Sequence, residues 1–194
     1  MMKFSLNEPF DYEGVSPLNQ LILDALLKYS TDIAINSAHG NLSYQELFAQ
    51  INEFLKQLER GHIVAGQSVV IPAEKTPRAI AAMLACILRG VVFVFVNLNA
   101  DPIERVKKIN KEAKIVGCIN LNEESAFDEP IDSNAFEYFT GDERLSPCCV
   151  FFTSGTTSTP KGILSSREAL AHYAVSHKNI LQITQKDRVA QCAQ

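Results

Sequence analysis

From Val91 to Asn97 the chain reads VVFVFVN, apolar at every position but the last and rich in β-branched and aromatic residues. Side chains alternate faces along a strand, so a strand with no polar face must be covered on both sides, as strands inside a parallel sheet are. The flanking segments fit. SVVIPA, from Ser68, reads as a second strand, and Thr76 followed by Pro77 reads as a helix cap and a first-turn proline, with the helix running to Arg89 and stopping at Gly90. Asp101 and Pro102 open another helix, with Ile103, Val106, Ile109 and Ala113 at helical intervals, and IVGCI closes the pattern as a strand. Parallel neighbours require a crossover between them. The order therefore predicts an α/β fold built on a mostly parallel, doubly wound sheet flanked by helices.

Upstream, DIAINSAHGNLSYQEL reads as two short strands around a turn at His39, Gly40 and Asn41, followed by a helix start. Ser43 and Glu46 have the spacing of a capping box, and Leu47, Ile51, Leu55 and Leu58 recur on one helical face that ends near Gly61. Downstream, residues 120–146 are acidic and aperiodic and read as a surface connection, after which CCVFF requires a partner sheet.

Composition narrows the function. The 194 residues are 46% hydrophobic and 21% charged, enough to bury a core. A formal charge of -4 with no long basic run offers nucleic acid or anionic lipid no electrostatic footing. No apolar stretch reaches the roughly 18 residues of a membrane span, and the N-terminus turns acidic too early for a signal peptide, so the expected location is cytoplasmic. Cys86, Cys118, Cys148, Cys149 and Cys192 are odd in number and lack paired metal spacing, so they read as reduced core residues.

The segment after CCVFF carries the chemistry. Thr153, Ser154, Gly155, Thr156, Thr157, Ser158, Thr159, Pro160, Lys161 and Gly162 place hydroxyls, glycines and one cation in a single short stretch. Phosphates require many donors converging on one point, backbone without bulky Cβ atoms and a positive charge. The residues alone leave a phosphate-binding loop and a solvated Ser/Thr-rich turn as alternatives. A P-loop, G-x-x-x-x-G-K-[ST], is excluded: Pro160 precedes Lys161, Gly162 follows it, and GIL after the loop reads as a strand before any helix.

TSGTTSTPKG resembles the [ST]-S-G-T-T-G-x-P-K-G signature of the adenylate-forming (AMP-binding) superfamily, with Ser158 where a glycine is usual. Further likenesses follow in the family's order. LSYQEL is similar to its early L-[ST]-Y-x-E-L segment, ILRGVVFVFVNLN to its L-K-A-G-x-x-Y-V-P-L-D stretch without the proline, and DRVAQC to a D-R-V-L-Q-F strand. DPIERVKKINKEAKI resembles the helix of nonribosomal peptide synthetase adenylation domains, which favours an amino acid as substrate. Arg167 stands where many relatives carry a histidine.

The resemblance implies a ligase that joins a carboxylate to AMP with loss of pyrophosphate, and then usually passes the acyl group to a phosphopantetheine or CoA thiol. It implies that residues 153–162 hold the β- and γ-phosphates of ATP, with Lys161 supplying positive charge, and that magnesium accompanies the nucleotide. It implies a carrier protein or CoA as partner. On this reading the chain is the front portion of a longer enzyme: a lead-in at 1–30, βαβ units at 31–119, the connection at 120–146 and the phosphate-loop region at 147–194. The acyl pocket and the catalytic lysine of the family would lie further along, so no catalytic or metal residue is assigned within the chain. The isolated chain is expected to be inactive, to bind ATP weakly or not at all, and to self-associate through uncovered surface. A fatty- or aryl-acid CoA ligase and a non-catalytic remnant of the same fold are the alternatives. A kinase lacks a catalytic aspartate motif here.

Other features have ordinary readings. Gly141 and Asp142 of TGD read as a turn, because the family's similar ribose motif follows its phosphate loop. His172 and His177 lie on different faces of a helix, which argues against a metal pair and for surface or core roles. Cys148 and Cys149, adjacent in a strand, are expected to point to opposite sides in ordinary burial. Lys107, Lys108 and Lys111 read as a solvated helix face.

Overall fold

The computed structural model describes residues 17–38, 40–97, 114–122, 139, 141–142, 146–153 and 161–190. In chain order the elements are α1 (Pro17–Lys28), β1 (Ile33–Ser37), β2 (Gly40–Ser43), α2 (Tyr44–Arg60), β3 (Ser68–Pro72), α3 (Pro77–Arg89), β4 (Val92–Val96), β5 (Ile115–Cys118), β6 (Pro147–Thr153), β7 (Lys161–Ser166) and α4 (Arg167–Ile180). Five strands form one sheet in the order β5-β3-β4-β6-β7, and β1 and β2 form a separate antiparallel pair. β5, β3, β4 and β6 run parallel, while β7 returns antiparallel to β6. This is the expected α/β sheet, with an antiparallel edge.

The period-two alternation of the strands divides the core. Val69, Ile71, Phe93 and Cys149 face a large cluster with the buried faces of α2 and α3, and α1 and α4 add Leu18, Leu26 and Ala171 to it. On the opposite face Val70, Val94 and Val96 are buried, with Ile115, Val150 and Phe152 packed on them. VVFVFVN is thus covered on both faces, as its uninterrupted apolarity requires, with Phe95 the most open of its strand residues.

Local signals decided the helix ends. Thr76 Oγ1 accepts the Ala79 N–H at 3.2 Å, Pro77 opens α3, and Gly90 ends it in the left-handed region at φ 76°. Ser43 Oγ accepts the Glu46 N–H at 3.2 Å, and Glu46 Oε2 accepts the Ser43 N–H at 2.7 Å, completing the capping box of α2. The Ser43 backbone N–H and then its hydroxyl hold the Glu46 carboxyl below its ordinary range. A depressed carboxylate stabilises the fold above its unfolded pKa, and that contribution fades as pH falls through the folded pKa. Ser43→Ala is expected to cost about 1 kcal/mol near neutral pH. Urea midpoints taken down through the carboxylate range should show the gap to the unsubstituted protein narrowing.

Some expectations need correction. Gly40 and Asn41 belong to β2 and not to the turn, since Ser37 pairs with Gly40 and closes a tighter connection. α1 was not anticipated within the lead-in, although Pro17 at its first turn and Leu18, Leu21, Ile22 and Leu26 on its inner side are helix signals. Two residues of the stretch read as a surface connection are packed instead: Leu121 is buried, and the Phe139 ring lies against Gly90. Asp187–Ala190, part of DRVAQC, form no strand; the Asp187 carboxylate accepts from the Thr184 N–H and hydroxyl at 2.7 and 2.8 Å. The helix expected after Asp101, with Lys107, Lys108 and Lys111, lies outside the described residues.

Candidate functional site: the hairpin at the carboxyl edge of the sheet

β6 carries the chain to the carboxyl end of the parallel strands, where Thr153 pairs with Lys161 at the head of β7. The donor-rich segment therefore leaves and re-enters the sheet at one point, beside the end of β4. In open α/β sheets ligands bind outside the carboxyl ends of the strands, because the loops converge there. Of the residues singled out in the sequence, Thr153, Lys161 and Gly162 are placed by their backbone in this hairpin, Gly162 opposite Phe152. Ser154, Gly155, Thr156, Thr157, Ser158, Thr159 and Pro160 lie outside the described residues. β7 precedes α4, so the loop leads into a strand and not into a helix, which agrees with the exclusion of a P-loop.

The hairpin is amphipathic on neither side. Phe151 and its partner Ile163 are both about half exposed, and Leu164, on the other face, is more so. Two residues on from the Phe93–Cys149 pair, Phe95 shares their face. A cavity of about 430 Å³ lies along the side of Val150 and Leu164, lined also by Ser68, Val92, Lys114 and Gly162. Gly162 is the one residue of the loop motif that borders it among the described residues.

At the end of the hairpin remote from the loop, sequence reasoning missed the main feature. Arg167, the first residue of α4, is 1% exposed. Its Nη1 donates to Ile87 O at 2.6 Å and its Nη2 to Asn19 Oδ1 at 2.7 Å, and its guanidinium lies 4.4 Å from the Phe139 ring centroid. Asn19 Nδ2 in turn donates to Leu88 O at 3.0 Å and Phe139 O at 3.3 Å. A cation at a helix N-terminus is disfavoured by the dipole. Here the guanidinium turns away to a carbonyl of the last turn of α3, where the dipole favours it. The signal available in the sequence was a departure from the family's histidine.

The cysteines also require a correction. A bulge between Pro147 and Cys149 breaks the strict alternation of β6, and both Cys148 and Cys149 are buried in the helix-side cluster. A hydrogen bond shared with Cys149, together with burial, pushes the Cys148 thiol up, and burial pushes Cys86 up to about 12. Cys86 and Cys148 are protonated core thiols, whereas Cys118, read from sequence as a core residue, is exposed. His172 Nδ1 is 3.5 Å from Ser176 Oγ, and the His177 ring contacts Tyr173 with centroids 3.9 Å apart, so the two histidines have separate neighbours. Gly141 lies in a bend against Phe139, and Ser146 Oγ donates to Asp142 O at 2.5 Å, as a turn would have it. Among the described residues no group of His, Cys, Asp or Glu could hold a metal ion, and no helix is long and apolar enough to cross a membrane.

The hairpin stands at the carboxyl edge of an α/β sheet, where open sheets of this kind bind ligands, and comparison with known proteins gives the family. The chain belongs to the AMP-binding enzyme family, whose model matches residues 24–194. It is 35% identical over 158 residues to the nonribosomal peptide synthetase sidC of Arthroderma benhamiae, covering 75% of this chain and 3% of that protein. It is 24% identical over 201 residues to tyrocidine synthase 3 of Brevibacillus parabrevis, covering 96% of this chain and 3% of that one. Among solved structures, VinN superposes with a TM-score of 0.73 at 20% identity, covering 91% of this chain and 50% of its own. The O-succinylbenzoate coenzyme A synthetase MenE of Bacillus subtilis, solved with AMP, superposes with a TM-score of 0.68 at 25% identity, covering 86% and 47%. The chain thus spans a few per cent of the length of these curated relatives and about half of the solved ones.

Proposed function

We propose that this chain supplies the ATP-phosphate-binding part of an adenylate-forming ligase that activates an amino acid. The supporting observations are the family match across residues 24–194 and the pairing of Thr153 with Lys161 at the carboxyl edge of the sheet. In the proposed reaction a carboxylate oxygen attacks the α-phosphorus of ATP, forming a new P–O bond as the bond to the β-phosphate oxygen breaks and pyrophosphate leaves. Phosphoryl transfer of this kind depends on positioning and on spreading negative charge. Hydroxyl and backbone donors of Thr153–Thr159 and the Lys161 ammonium would take up the departing charge, and Gly155 and Gly162 would allow close approach. Magnesium bound with ATP would add positive charge at the phosphates.

The acyl adenylate would pass to a phosphopantetheine or CoA thiol, in the cytoplasm. The peptide synthetase relatives favour a carrier-bound thiol, while the likeness to MenE favours CoA; thioester formation with each acceptor separates the two. Exposed Phe151, Ile163 and Leu164 support packing of this sheet against further polypeptide of the same enzyme, and the solved relatives, about twice as long, are consistent with that.

Amino-acid-dependent exchange of labelled pyrophosphate into ATP, measured on the protein that carries these residues, tests the proposal. Lys161→Ala is expected to lower the exchange rate about a hundredfold or more, by analogy with removal of a charge-stabilising donor. Exchange that no carboxylic acid stimulates, or that is indifferent to Lys161→Ala, would sink it.

A further inference from the structure

We infer that Arg167 is a positioning residue for the phosphate hairpin, fixing with Asn19 the strand register that sets Lys161 opposite Thr153. The inference rests on the reading of the hairpin as the phosphate-binding element. A bulge between Pro147 and Cys149, at the end of the hairpin beside Arg167, sets two β6 residues against one of β7, and from Cys149 the pairing runs unbroken to Thr153 and Lys161. A slip of one residue would turn every β7 side chain to the opposite face and shift both ends of the loop.

That register is anchored at the end of the hairpin remote from the loop. The Arg167 N–H donates to Ser146 O at 3.0 Å, tying the residue after β7 to the residue before β6. Its side chain then reaches α3 through Ile87 O and α1 through Asn19 Oδ1, elements 80 and 148 positions away in sequence. Two bonds in fixed directions from a planar guanidinium, which lies over the Phe139 ring, define an orientation. An apolar side chain of similar length would fill the volume without defining it. α1, part of which lies before the region that the family model matches, thereby becomes part of the hairpin's support.

The test compares the unsubstituted protein with Arg167→Met, Arg167→Lys and Asn19→Ala by amide hydrogen exchange and by pyrophosphate exchange. Arg167→Met is expected to speed amide exchange about tenfold or more across residues 148–153 and 161–166 while α2 is unchanged. It should also raise KM for ATP about tenfold, with KM for the carboxylate changing less than about twofold. Arg167→Lys should recover less than half of either effect, because an ammonium lacks the fork. Asn19→Ala should reproduce the pattern at smaller amplitude; together with Arg167→Lys it carries the test if Arg167→Met does not fold. Amide exchange that rises equally in α2, α3 and the hairpin, or that is unaltered in the hairpin, would overturn the inference, as would equal shifts in both KM values. An unsubstituted protein without pyrophosphate exchange would defeat the ligase proposal alone, and hairpin-confined amide exchange would still support the positioning role.

Discussion

Gly90→Val is expected to lower the stability of the fold by about 4 kcal/mol, read as a shift in the urea midpoint at unchanged slope. Two independent causes add. Gly90 ends α3 at φ 76° and ψ 20°, and its N–H caps the carbonyls of Cys86 and Ile87. A residue with a Cβ held in that left-handed region costs about 1–2 kcal/mol, and β-branching raises the cost. A Cβ would also stand 2.9 Å from Phe139 Cγ and 3.0 Å from its Cβ, where the ring cannot retreat without leaving the Arg167 guanidinium. Overpacking of this kind adds about 1–3 kcal/mol. Gly66→Ala is the control: its φ is 83°, but nothing stands within 4 Å of the added carbon. It should show the backbone cost alone, about 1 kcal/mol. Equal losses at the two sites would mean that Phe139 does not bear on Gly90.

The second large effect is expected at Phe54→Ala, about 3–5 kcal/mol. Phe54 projects from α2 at 1% exposure into the helix-side cluster, and truncation leaves a cavity that α2 and α3 together would have to collapse. The ring also carries Arg78 at 4.9 Å from its centroid. Arg78 is held there by Glu53 Oε2 at 2.8 Å and by Leu121 O at 2.5 Å. Phe54→Leu should therefore cost under about 1.5 kcal/mol from packing, plus about 0.5–1 kcal/mol for the lost cation–π contact. A double-mutant cycle pairing Phe54→Leu with Arg78→Met isolates that second part. A coupling of zero would show that Arg78 is held by its carboxylate and carbonyl alone.

The site was partly legible before the structure. TSGTTSTPKG was readable because phosphate chemistry concentrates donors, glycine and a cation in one contiguous stretch, and a strand on each side of it followed from CCVFF and GIL. Nothing in those ten residues pointed to Arg167 or Asn19. Sequence reasoning noted Arg167 as a substitution for histidine, whereas its partners lie on α1, on the last turn of α3 and at Phe139. Likewise, alternation along a strand predicted opposite faces for Cys148 and Cys149, and one bulged residue was enough to undo it.

By itself the sequence determined the helix boundaries at Ser43, Gly61, Thr76 and Gly90, the buried face of α2 and the two-sided burial of β4. Each depends on backbone groups within about four residues or on a short hydrophobic period, so the information is local. Only the tertiary structure decided which carbonyls receive the Arg167 guanidinium, what ring stands over Gly90, and how β7 registers on β6. Those contacts join residues that are neighbours in space and remote along the chain, and no periodicity in sequence encodes the distance between them.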